Sequence, residues 1–155
     1  LEVIAPDPEH PIPADRRPAI FSSDGTPHMI GWFAKMADLD SATSAVAAMG
    51  HRLGSMTAGS RTLPNGCQLN WRLTDPTVAV CDGIFPMLID WGTSPHPAAS
   101  APPGCHLRQL HLQHPTAVLI NKLLAAASLP AGVRRGRRPQ ITAMIDTPKG
   151  PVSFP

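Results

Sequence analysis

The sequence predicts an α+β protein assembled from tandem β-α-β-β-β modules. Three observations predict it. Two segments with helical periodicity each follow a strand-like segment and precede further strand-like segments. Proline clusters at residues 6–18, 95–103 and 148–155 separate these sets, where the fixed φ and missing N–H of proline end elements. An apolar run holding one acid also occurs twice, as Leu1-Glu2-Val3-Ile4-Ala5-Pro6 and as Phe85-Pro86-Met87-Leu88-Ile89-Asp90-Trp91-Gly92.

Residues 29–36 form a largely apolar run of strand length. Asp38, Asp40 and Ser41 then offer helix N-caps, and Leu39, Ala42, Val46 and Met49 recur at helical spacing before Gly50, a suitable C′ residue. Residues 51–62 read as a weaker strand interrupted by glycine. Pro64-Asn65-Gly66 is a tight-turn signal, and Gln68-Leu69-Asn70-Trp71-Arg72-Leu73 alternates polar with apolar as a half-buried strand does. The acid-bearing strand at 85–92 completes a β-α-β-β-β set.

The pattern restarts after the second proline cluster. Residues 105–113 are strand-like, with a slip of alternation near Arg108 and Gln109 that suggests a bulge. Pro115 sits where an N1 proline would, and Leu119, Ile120, Leu123 and Leu124 form a helical stripe that Pro130 ends. Strands follow at 133–138 and 140–146, with a short terminal one at 152–154. The period is roughly 75 residues. The organisation is thus a last strand of an earlier module at 1–8, a linker at 9–27, a β-α-β-β-β module at 28–93, a proline-rich linker at 94–104 and a β-α-β-β module at 105–155.

Composition narrows the function classes. A net charge of +2 is too small to indicate nucleic acid or membrane as a partner, and no apolar run approaches the roughly 20 residues of a membrane span. Cys67, Cys81 and Cys105 are odd in number and widely spaced, which points to reduced thiols and a cytoplasmic setting rather than to disulfides or a zinc cluster. No serine-nucleophile or phosphate-loop motif is present.

LEVIAPDP, RTLPNGCQLNWRL, FPMLIDWGTSPHP and IDTPKGPVSF together resemble the glyoxalase-like domain family of the vicinal oxygen chelate superfamily, which includes glyoxalase I and extradiol dioxygenases. The resemblance implies curved mixed sheets with helices on the outer face, enclosing a small-molecule pocket. It also implies a divalent metal held by a His or Gln of each first strand and a Glu of each fourth. Glu2 and Asp90 match the acidic positions. The first-strand position falls on Gly31, and its counterpart near Leu107 or Arg108, so the ligand set is incomplete and no metal residue is assigned.

The candidate ligand-binding residues are Glu2, Phe33, Arg72 and Asp90. A carboxylate inside an apolar strand is costly unless paired, so Asp90 either faces a pocket or is satisfied by Arg72 or by backbone N–H groups. Phe33 shares a strand face with Gly31, which turns Trp32 towards the helix. Trp71 and Trp91 can stack on a flat ligand or fill core. His106 and His114, eight residues or about 26 Å apart along a strand, cannot share a metal. His111 is a ligand, a base or a surface residue, and His96 caps a proline-rich turn. Arg134, Arg135, Arg137 and Arg138 either clamp a carboxylate or phosphate or form a solvated hairpin turn.

Two functions follow: a metal-assisted lyase, isomerase or dioxygenase, or a metal-free module that binds or sequesters a small molecule. A homodimerising structural domain is the third.

Overall fold

The local patterns become eight strands and two helices in the computed structural model, which describes Glu9 and residues 28–155. Glu2, the strand at 1–8 and most of the linker at 9–27 lie outside the described residues. The first set comprises β1 (Phe33–Lys35), α1 (Leu39–Ala48), β2 (Thr57–Thr62), β3 (Gln68–Leu73) and β4 (Met87–Asp90). A single 3₁₀ turn at Pro97–Ser100 precedes β5 (His106–His114), α2 (Ala117–Ala126), β6 (Val133–Arg135), β7 (Gln140–Thr147) and β8 (Gly150–Phe154).

The α1 cap forms as the sequence suggests. The Asp38 carboxylate accepts the Ser41 hydroxyl at 2.6 Å and its backbone N–H at 2.9 Å, and these bonds hold its pKa below the usual carboxylate value. The hairpin turn also forms, closed by Leu63 N–H on the Cys67 carbonyl at 2.8 Å. Several boundaries move. β2 begins at Thr57 rather than 51, because Gly54 takes φ +73°, where an added Cβ would come 2.4 Å from Asp75 Cβ, which breaks the extended run. Pro115 does not take the N1 position: the α2 N-cap is Thr116 and the first helical residue Ala117, so Pro115 stands one residue ahead of the cap.

Two mixed sheets result, ordered β1-β4-β3-β2 and β6-β5-β7-β8. Each contains one parallel pair, β1 with β4 and β5 with β6; the other pairs are antiparallel. The register shift between Leu107 and Gln109 places a bulge at Arg108. The element order repeats, but the sheet order does not. The opening strand is an edge in the first sheet and an interior strand in the second.

One core serves both sheets. Leu88 of β4, Leu39 and Val46 of α1, Ile120, Leu123 and Leu124 of α2, Leu112 of β5 and Ile141 of β7 form a single buried cluster. Trp32 packs against it, its indole N–H donating to the Ile84 carbonyl at 3.0 Å, which leaves its neighbour Phe33 facing outward and 45% exposed.

A polar clamp joins the halves. Cys81 and Asp82 adopt φ of +51° and +56°, a conformation that costs non-glycine residues about 1–2 kcal/mol each. The turn holds because the Asp82 carboxylate meets His114 Nε2 at 2.9 Å, while His114 Nδ1 accepts the Thr116 N–H at 3.0 Å and thereby sets the ring tautomer. Burial, and then the neighbouring Asp82 charge, push the Cys81 thiol up, so it stays protonated at neutral pH.

β1, like β6, has only three residues and stands at a sheet edge, paired on one side only. Native-state hydrogen exchange should show β1 amides exchanging faster than those of Leu112 and Gln113 in β5, which pair with β6 on one side and β7 on the other. Equal protection would contradict the edge placement.

Candidate functional site

The site takes shape where β4 ends. Arg72 and Asp90 are register partners, so they share the sheet face that carries Ala34 and Leu88 towards the helices. Alternation sends Trp71, Ile89 and Phe33 to the opposite face. The Asp90 Oδ1 accepts the Gly92 backbone N–H at 2.8 Å, a tight closure for which Gly92 takes φ +52°. Arg72 turns away from its partner. Its guanidinium reaches Asp40 of α1 at 3.3 Å, an exposed pair worth about 0.2–1 kcal/mol.

The chain beyond Gly92 stays beside β3, held by the Asn70 N–H donating to Ser94 Oγ at 2.9 Å. This leaves an open depression of about 340 Å³ lined by Asn70, Trp71, Arg72, Asp90, Trp91 and Ser94 among others. Trp71 and Trp91 meet with ring centroids 5.5 Å apart and planes tilted by 54°, and His96 abuts Trp91 edge-on at the same separation. His96 also caps the 3₁₀ turn, accepting the Ala98 N–H at 3.1 Å. Trp71 lies over Gly59, its strand partner: a Cβ there would come within 2.5 Å of the indole. The Trp91 indole N–H is buried and makes no hydrogen bond.

Three of the four residues singled out in the sequence can be located. Asp90 and Arg72 border the depression together, whereas Phe33 shares the sheet face of Trp71 but stands at the far end of β4, opposite Met87, and does not line it. Glu2 lies outside the described residues. Sequence reasoning missed the Trp71–Trp91–His96 cluster as a unit and the Asp40 partner of Arg72. The alternation of β3 was a signal for Trp71; nothing local announced Asp40.

A family model of the glyoxalase-like domain matches residues 1–128. The chain belongs to the glyoxalase-like domain family. That family falls within the vicinal oxygen chelate superfamily, as the α+β architecture of two mixed sheets accords with. No curated protein and no solved structure matches the chain. Among the described residues no helix is long and apolar enough to cross a membrane.

The metal that the superfamily implies does not fit the donors described in this glyoxalase-like domain. Asp90 spends one oxygen on Gly92 and faces the helix side of the sheet. A side chain at Gly31 would press on the Met87 methyl at 3.2 Å, and Arg108 is engaged by Asp146 at 2.6 Å. Among the described residues no three His, Cys, Asp or Glu side chains gather at one point.

Proposed function

We propose that this glyoxalase-like domain binds a flat, weakly polar organic molecule in the depression beside β4 and holds it without metal chemistry. The tilted Trp71–Trp91 pair carries the reading, since two indoles bordering one opening offer apolar contact area to a planar ligand. The polar rim supports it: Asp90 keeps one carboxylate oxygen outside its bond to Gly92, and Arg72, Asn70 and Ser94 supply further polar groups. The orphaned Trp91 N–H is a further support, because a buried donor without a partner costs about 1–3 kcal/mol that a small shift towards a ligand acceptor would recover. A metal-assisted lyase, isomerase or dioxygenase reaction is the second reading. It rests on the family alone and needs donors beyond those described.

Tryptophan fluorescence titrated with catechol, 1-naphthol and diacetyl tests the proposal. Saturable quenching is expected with at least one, weakened tenfold or more by Trp91→Ala and changed less than twofold by Trp32→Phe. A flat response to all three would sink it. Stoichiometric metal in protein purified without chelator, lost in Asp90→Ala, would shift the assignment to the enzymatic reading.

A further inference from the structure

The second sheet carries a different feature on its open face. Register places Gln113 opposite both Arg134 and Gln140, and His111 opposite Thr142, so these five side chains share one face while Leu112, Val133 and Ile141 between them are buried in the core. They line a cavity of about 210 Å³. The two amides are already oriented. Gln113 Nε2 donates to Gln140 Oε1 at 3.0 Å, and Gln140 Nε2 donates to Thr142 Oγ1 at 3.4 Å, which leaves the Thr142 hydroxyl proton free to donate outward.

Among the described residues the Arg134 side chain has no hydrogen bond or ion pair, although it lines the cavity. The one acid of residues 105–155, Asp146, is committed to Arg108 through contacts at 2.6 and 3.0 Å. Among the described residues no side-chain carboxylate is paired with Arg134 or with the neighbouring Arg135, Arg137 and Arg138. A guanidinium fork, an imidazole N–H and a hydroxyl around one small opening match the oxygens of a carboxylate or phosphate, and the uncompensated charge favours its approach.

We infer that the open face of the β6-β5-β7-β8 sheet binds a small organic anion, with Arg134 as the charged anchor, His111 and Thr142 as further donors, and Gln113 and Gln140 as the rigid floor. At about 210 Å³ the opening has room for a short organic acid or phosphate ester. Its lining shares no residue with that of the depression beside β4, so the two sites are separate.

The two sites report separately, because Trp32, Trp71 and Trp91 all precede β5 and none of them lines this cavity. NMR titration of the intact chain at low salt should follow the His111 ring and the Gln113 and Gln140 side-chain amides, with inorganic phosphate, malonate and 2-phosphoglycolate as probes. Saturable shifts are expected with 2-phosphoglycolate or malonate, and weaker ones with phosphate alone. Arg134→Gln should weaken binding at least tenfold, whereas Arg137→Gln, three residues past Arg134 and outside the cavity lining, should change it less than twofold. Gly136→Ala tests the floor, since its Cβ would come 2.8 Å from Gln113 Cδ; it should displace the Gln113 signal and weaken binding. Equal losses in Arg134→Gln and Arg137→Gln would mean diffuse attraction to a basic surface and overturn the inference, as would the absence of saturable shifts with every probe.

Discussion

Leu88→Ala is expected to destabilise the fold by about 2–5 kcal/mol, the range for leucine truncation in a closed core. Leu88 is fully buried in β4, in the one cluster that joins both helices and both sheets. Its backbone is held as tightly: the N–H donates to Thr74 Oγ1 and the carbonyl accepts the Thr74 N–H, both at 3.0 Å, so the strand cannot easily collapse into the space left behind. Against the roughly 5–15 kcal/mol typical of a domain, this would be a large share of the total. Leu107→Ala is the control, since Leu107 is 62% exposed and should lose under about 0.5 kcal/mol. Urea unfolding of both variants measures the difference, and similar midpoints would place the core elsewhere.

Gly59→Ala should cost about 1–3 kcal/mol through overpacking, although alanine suits a strand better than glycine. The cause is Trp71, whose indole occupies the place the new methyl needs, at 2.5 Å from the ring. Displacing that ring also separates it from Trp91, so ligand binding beside β4 should weaken and tryptophan emission shift together. The sign reverses once the indole is gone. In a Trp71→Ala background the same substitution should stabilise by about 0.5–1 kcal/mol, because only the lower backbone entropy of alanine remains. Additive losses in the double variant would show that Trp71 does not lie over Gly59.

How much of this was legible depends on range. Asp38 and Gly50 bound α1 because capping is a property of neighbouring residues, and the slip near Arg108 became the bulge for the same reason. Asp90 was recognised as an acid needing satisfaction, and one of its two anticipated partners, a backbone N–H at the strand end, is the one it takes. Its facing was not legible, because it depends on how β4 registers against β3 and β1. Arg72 with Asp40 and Asp82 with His114 are pairs that only the assembled sheets bring together. The arginine run was visible in the sequence, but its relation to His111 and Thr142 arises from strand pairing.

The unequal sheet orders bear on how the chain finds its fold. Leu112 of β5 meets Val133 of β6 across a single helix, whereas Phe33 of β1 can meet Met87 of β4 only after α1, the β2–β3 hairpin and the turn around Cys81 have been gathered in. Closing the longer loop adds less than about 1 kcal/mol of entropy cost, so the two sheets need not differ much in equilibrium stability. The difference is one of sequence in time. β5, α2 and β6 can condense as a local nucleus, while β1 completes the first sheet as a late addition, and the depression beside β4 is assembled before the strand that carries Phe33 has docked.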